Sequence, residues 1–433
     1  MKVSMSRGRR DHLTFKGNLR QTRYGWLRLT PAYSVHQVHQ LLNPTETGTA
    51  VLDPFCGTGT TALVCAEQGI ACDTVDINPF LVWLAGVKTR SYRPADVESF
   101  VAASTHVREA IRSGHGQPAW LPPLHQIEKW WDGLTLAALG HAFAKIEDLM
   151  NSISGNAVDL LKVAFCRTLI QHAHVTFGHQ SMSFKKRLQP SHRELLLPGF
   201  DDNPLSASWQ QAASEIASAA MSPIRKEPRV ELLDARNLAG PLRGESYGRV
   251  ITSPPYPNRM SYIRELRPYM YWLRFLNDGR AAGELDWLAI GGTWGCATSN
   301  LSQWRSDAAS EFPFPAFPAI LKAIAAKSEV LSKYVHKYFV DMLQHCRGLF
   351  AVVKPGGTVH YIVGNSKFYD VLLPVEKLYA AMFENVGFVS VRTDISRKRT
   401  SKKELFEFVV SAAKPGKKQT HARPTAACSR GRP

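Results

Sequence analysis

Along the chain, short apolar runs alternate with stretches whose apolar residues recur every three or four positions, in two separate blocks. The first block opens with an apolar run at 50–53, turns through a Gly-rich segment, and predicts a helix over 60–68, a strand at 71–76 and a helix over 80–89. The second predicts strands at 230–233, 249–252 and 358–363, helices over 335–353 and 373–386, and a final pair of strands at 389–395 and 405–411. Such alternation is the pattern of an α/β fold: a mostly parallel sheet with helices on both faces. Seven strands are expected, the last antiparallel to its neighbours. Between the blocks, residues 91–228 carry helical spacing, as in Ile127, Trp131, Leu134 and Ala138, then Val158, Leu161, Phe165 and Leu169. Residues 277–327 are rich in Trp, Gly and Pro without a clear period and read as a long loop insertion.

Composition narrows the class. With 433 residues, 44% hydrophobic and 21% charged, the chain has ample material for a packed core, which excludes a disordered or disulfide-stapled peptide. No run of about 18 uncharged apolar residues and no apolar stretch after the basic N-terminus is seen, so neither a membrane span nor a secretory signal is expected and the location should be cytoplasmic. Seven cysteines without a CxxC pair point to reduced thiols. The net charge of +17 suggests a polyanionic partner and sits mostly at the ends. Residues 1–28 hold eight Lys/Arg against one Asp, and residues 414–433 hold six Lys/Arg and no acid.

The chemistry concentrates at strand ends. Asp53-Pro54-Phe55-Cys56-Gly57-Thr58-Gly59-Thr60-Thr61 lies between a strand and a helix, where glycines permit a tight turn and close approach to a ligand. A dinucleotide fingerprint would carry a third glycine where Ala62 stands, and a phosphate-binding Walker loop would carry Lys after Gly59. Asp76 closes the second strand, where a carboxylate accepts from ribose hydroxyls, and Asn78-Pro79 follows. Asp234 follows the third strand, where a carboxylate can accept from an adenine amino group. Ser253-Pro254-Pro255-Tyr256 follows the next: two prolines remove N–H donors and leave rigidly aimed carbonyls, and Tyr256 offers a face for stacking a planar ring.

Together these segments resemble the amino-methyltransferases of DNA, the methylases of restriction–modification systems, with the Ser-Pro-Pro-Tyr form of the cytosine-N4 members. The resemblance takes in Lys354-Pro355-Gly356-Gly357, the C-terminal hairpin and a helix within 26–42 that starts at Thr30-Pro31. It covers about 250 residues. It implies a Rossmann-like, seven-stranded class I methyltransferase sheet and S-adenosylmethionine as cofactor. Thr30, Asp53, Pro54, Phe55, Gly57, Gly59, Thr60, Asp76, Asn78 and Asp234 would bind that cofactor, and Ser253, Pro254, Pro255 and Tyr256 would hold the target base. The reaction implied is methyl transfer to the N4 amino group of cytosine in double-stranded DNA; adenine-N6 in DNA and guanine-N2 in tRNA are the alternatives. A cognate restriction endonuclease is the expected functional partner. The glycine loop precedes the catalytic loop, the reverse of many cytosine-N4 enzymes.

The chain then divides into a basic N-terminal arm (1–28), a first catalytic part with the cofactor loop (29–90), a helical insertion suited to target recognition (91–228), a part with the catalytic loop (229–276), a loop insertion (277–327), a C-terminal catalytic part (328–413) and a disordered basic tail (414–433). Cys166, His172, His174 and His179 cluster in sequence but match no common zinc spacing, so no metal is expected. The basic turn at 397–403 is the expected fixed DNA contact, because it lies on a hairpin of the sheet.

Overall fold

The structure, a computed structural model, describes residues 14, 17–18, 22–29, 32–42, 48–114, 116–118, 120–176, 183–185, 204–242, 244–293, 295–306, 312–399 and 404–416. Seven strands form one sheet: β1 (Ala50–Asp53), β2 (Cys72–Asp76), β3 (Arg229–Leu232), β4 (Tyr247–Thr252), β5 (Val353–Gly364), β6 (Val389–Lys398) and β7 (Phe406–Ala413), in the spatial order β6-β7-β5-β4-β1-β2-β3. β7 runs antiparallel to β5 and β6, and the remaining pairs are parallel. This is the Rossmann-like methyltransferase sheet expected above. The order reverses between β1 and β4, and in open α/β sheets ligands bind at the carboxyl ends of the strands flanking such a reversal.

The helices are α1 (Val35–Leu41), α2 (Thr60–Gln68), α3 (Pro79–Thr89), α4 (Pro94–Ser113), α5 (Gly133–Leu149), α6 (Gly155–Gln171), α7 (Pro204–Ala220), α8 (Tyr262–Trp272), α9 (Gly279–Leu288), α10 (Cys296–Gln303), α11 (Phe317–Ala325), α12 (Glu329–Val352) and α13 (Val375–Asn385). Among the described residues no helix is long and apolar enough to cross a membrane. The helix expected to start at Thr30-Pro31 begins later: Ser34 caps it by accepting from the Gln37 N–H, and it spans two turns.

The helical insertion shares one core with the catalytic sheet's own helices. Trp272 of α8 is fully buried among Trp120, Trp131, Phe143 and Phe165, with ring centroids 5.3–6.1 Å away. Tyr269, one turn earlier, stacks on Phe80 of α3 at 5.3 Å and 7°. α8 follows the Ser-Pro-Pro-Tyr loop directly, so the insertion anchors the helix that carries that loop away from the sheet.

Two expectations are corrected. Residues 277–327 are not a loop region: α9, α10 and α11 occupy most of them, and Phe312, Phe317, Leu321 and Ile324 pack with α12 in the second core. The helices are only eight to ten residues long and are separated by Gly, Pro and Trp, so no window was long enough to show a period. The N-terminal segment is likewise not wholly a solvated arm. Tyr24, Trp26 and Leu27 are buried, and Arg23, 1% exposed, spends its guanidinium on backbone carbonyls: Lys88 and Arg90 at the end of α3 (3.0 and 2.5 Å), and Ala219, Ala220 and Ser222 at the end of α7 (3.1, 2.5 and 2.9 Å). A cation satisfies the orphan carbonyls of two helix ends at once.

Arg23→Met should therefore lower stability by about 2–4 kcal/mol in urea unfolding. Arg23→Lys should recover less than half, because an ammonium cannot span both helix ends; a loss under about 0.5 kcal/mol for Arg23→Met would contradict the clamp.

Candidate active site

β1 ends at Asp53 and β4 at Thr252, and the two side chains meet in the crevice between them. Thr252 Oγ1 donates to Asp53 Oδ1 at 2.5 Å, the Phe55 N–H donates to the same oxygen at 3.1 Å, and the Tyr33 hydroxyl donates to Oδ2 at 3.1 Å. Tyr33 also meets Thr61 Oγ1, which donates to the Ile251 carbonyl at 3.3 Å. Asp53 and Thr252 are completely buried. Burial pushes the Asp53 carboxyl up to about 7, against the pull of its three donors. Asp53 thus ties the glycine turn to the strand that leads into the Ser-Pro-Pro-Tyr loop.

From Asp53 the chain turns through buried Pro54 and half-buried Phe55, whose ring lies 4.8 Å from His345. Burial lowers His345 to about 4, so its ring is neutral: Nδ1–H donates to the Ala235 carbonyl at 2.7 Å, and Nε2 accepts from the Tyr361 hydroxyl at 2.6 Å. The Cys56 N–H donates to the Val75 carbonyl at 2.8 Å and lashes the turn to β2. Gly57 and Gly59 have φ of 52° and 77°. A Cβ on Gly59 would stand 3.0 Å from Ala85 Cβ, so the approach of α3 as well as the backbone requires this glycine. Thr60, buried, opens α2, with its hydroxyl 3.3 Å from that of Thr58. Lys88, 2% exposed and lowered to about 8 by burial, donates to the Thr58 carbonyl at 3.2 Å from beneath the turn.

Asp76 is half-buried at the end of β2. Its Oδ2 accepts from the Gly57 N–H and its Oδ1 from the Asn78 N–H, both at 2.9 Å, and burial pushes it up to about 6. Backbone donors at Gly57, Ile77 and Asn78 still leave acceptor capacity on this half-buried carboxylate. Asn78 is buried, caps α3 by accepting from the Phe80 N–H at 3.0 Å, and points its amide at Met270 Sδ. Asp234 caps the short turn at Ala235–Asn237. Its carboxylate, 23% exposed, takes the Arg236 backbone N–H at 2.9 Å and the Arg236 guanidinium at 2.6–3.0 Å. Thr30 lies outside the described residues.

On the other side of the crevice, Ser253 Oγ donates to the Ile362 carbonyl of β5 at 3.1 Å. The hydroxyl also lies within hydrogen-bonding reach of the Tyr256 side chain, and with its proton on the sheet its oxygen keeps acceptor capacity. Pro254 is buried, and the Pro255 carbonyl accepts from the Tyr338 hydroxyl at 2.7 Å, which is itself 2.7 Å from that of Tyr379. The Tyr256 hydroxyl donates to Glu407 Oε2 of β7 at 3.3 Å. Tyr33, Thr252, Tyr338 and Glu407 escaped the sequence reading. Thr252 alone left a trace there, as a hydroxyl following Val250 and Ile251 at the end of the strand.

The basic turn is also corrected in part. Arg397 pairs with Glu407 through both nitrogens at 2.8–2.9 Å, and Arg399 lies over the Tyr256 ring, so these two cations face the protein; residues 400–403 lie outside the described residues. The sequence cluster of Cys166 and histidines does not assemble: Cys166 is buried in the α6 core, His172 meets Ser208 at 2.8 Å, and His179 is outside the described residues. Among the described residues no group of three or more His, Cys, Asp or Glu could hold a metal ion.

No protein-family model matches the chain. Among curated proteins it is similar to the type II methyltransferase M.MvaI of Kocuria varians, 20% identical over 345 residues, spanning 77% of this chain and 73% of that protein. M.BsoBI of Geobacillus stearothermophilus is 21% identical over an alignment of 455 positions, spanning 92% and 85%, and M.AvaI of Anabaena variabilis 21% over 408, spanning 88% and 82%. The chain is a homologue of type II methyltransferases. The methyl donor of a type II methyltransferase is S-adenosylmethionine. The residues present fit it: at the end of β2 the half-buried Asp76 carboxylate keeps acceptor capacity beside the glycine turn, and a cationic ligand near it would lower its raised affinity for protons.

A raised carboxyl pKa has a definite sign in stability. The folded state keeps a proton on Asp53 up to about pH 7 while the unfolded chain loses it near 4, so this contribution is present at low pH and lost as pH rises through that window. His345 and His360, both lowered to about 4, act the opposite way over an overlapping range, so the effect is read as a difference between proteins. Between pH 5 and 7.5, Asp53→Asn should gain stability relative to the parent by on the order of 2 kcal/mol in urea unfolding; a difference flat with pH would contradict the assignment.

Proposed function

We propose that this methyltransferase modifies DNA at the exocyclic N4 amino group of cytosine, within a sequence it recognises. The observation that carries the reading is the Ser253 hydroxyl, whose proton is committed to the Ile362 carbonyl while its oxygen stays an acceptor, at the end of the strand that Thr252 ties to the cofactor loop. An amino group conjugated to a pyrimidine is a poor nucleophile until its hydrogens are bound. Acceptors at Ser253 and at the Pro254 carbonyl draw those hydrogens and turn nitrogen electron density outward. S-adenosylmethionine supplies an electrophilic methyl group that carries its own leaving group, so the protein's task is positioning.

Asp76 is assigned to the ribose hydroxyls, Phe55 and the glycine turn to the remainder of the cofactor, and Tyr256 to the face of the flipped base. A base inside a duplex must leave the stack to reach such a seat, at a cost that stacking on an aromatic ring offsets. Ser253, Pro254, Pro255 and Tyr256 are assigned to base and amino group. Asp53 and Asn78 shape the site from behind. A restriction endonuclease reading the same sequence is the partner this assignment calls for.

The test is expression in a host free of DNA methylation, followed by sequencing that distinguishes modified bases. N4-methylcytosine at one recurring sequence is expected, and Tyr256→Ala should sharply reduce it, leaving a measurable residual rate, while changing S-adenosylmethionine affinity less than threefold in calorimetry. N6-methyladenine would overturn the choice of base, and unmodified DNA beside methylated tRNA would overturn DNA as the substrate.

A further inference from the structure

We infer that Arg399, on the β6–β7 hairpin, is the positioning residue for the aromatic base seat and acts through Tyr256. This rests on the function proposed above.

The Tyr256 ring is fixed from three directions by groups outside its own loop. Its hydroxyl is held by Glu407, 5% exposed on β7. Its edge lies against Gly364 at the end of β5, where an added Cβ would stand 2.9 Å from Cε2. The Arg399 guanidinium sits 5.6 Å from the ring centroid, within cation–π range. That guanidinium is anchored, not loose: Nη1 donates to the Asn365 carbonyl at 3.0 Å, the Arg399 N–H donates to the Leu405 carbonyl at 2.8 Å, and the same Cβ on Gly364 would stand 2.8 Å from Nη1. Gly364 therefore leaves the room in which ring and guanidinium lie together. Arg397 clasps Glu407 with two bonds and fixes the carboxylate that fixes the phenol.

A flipped base gains stacking energy only if its platform already stands in the right plane. A tyrosine on a loop exit would otherwise turn about its side-chain bonds. Arg399 backs the ring, and Asn365 at the end of β5 backs Arg399, so the base seat inherits the rigidity of the sheet. Lysine keeps the cation but lacks the planar fork that reaches the Asn365 carbonyl and the ring together.

The experiment measures methyl transfer from tritiated S-adenosylmethionine to unmethylated bacterial genomic DNA by the full chain. Arg399→Met should lower kcat at least thirtyfold with cofactor affinity within twofold of the parent, and Arg399→Lys should recover at least a third of that loss on a logarithmic scale. In a Tyr256→Ala background, Arg399→Met should change the residual rate less than threefold, because its effect passes through the ring; a residue needed merely for folding would cost the same in both backgrounds. Parent enzyme that transfers no methyl group to DNA would overturn the function proposed above. Active parent enzyme with Arg399→Met within threefold of it, or with additive losses in the double variant, would overturn the role of Arg399 alone.

Discussion

The site depends on one hydrogen bond, from Thr252 to Asp53, across the gap between β4 and β1. A parallel sheet whose strand order reverses leaves an opening at that point, and an opening between two strand ends has no covalent reason to keep its shape. The buried carboxyl supplies one. It gathers the Thr252 hydroxyl, the Phe55 N–H and the Tyr33 hydroxyl onto two oxygens, so the strand that delivers the catalytic loop, the turn that follows β1 and the segment preceding α1 share an atom group. Burying an acid is costly unless it is hydrogen-bonded; here every donor around it belongs to a piece that must stay in register for the site to exist.

The outer parts extend this arrangement. Arg23 joins the ends of α3 and α7, and Trp272 and Tyr269 tie α8 into the same core, so the helical insertion braces the catalytic loop from the side away from the sheet. Tyr338 on α12 and Glu407 on β7 reach the loop from the other side. Ser-Pro-Pro-Tyr is thus gripped at three of its four residues, by β5, α12 and β7, and its two prolines need no partner for an N–H.

What the sequence displayed was whatever depends on local periodicity or on a residue's position at a strand end. The strands of both blocks, α2 from Thr60 to Gln68, and the pairing of a glycine turn with Ser-Pro-Pro-Tyr are of this kind. What it concealed depends on partners far along the chain. Arg23 and Arg399 look like surface charge until the carbonyls of residues 88 and 220, or of residue 365, are seen beside them. Nothing in the sequence says that Arg236 will fold back onto Asp234, two residues before it. The short helices of 277–327 were hidden by their length, since eight to ten residues broken by Gly and Pro give no period to read.

The coupling of the two loops through Asp53 is tested most directly at Thr252, which stands on the side proposed for the base and is assigned no contact with the cofactor. Thr252→Val keeps the shape and removes the shared hydrogen bond. S-adenosylmethionine binding measured by calorimetry at pH 7.5 should weaken about fivefold to tenfold, the equivalent of about 1–1.4 kcal/mol. An unchanged dissociation constant, in a variant that melts within a few degrees of the parent, would contradict the coupling.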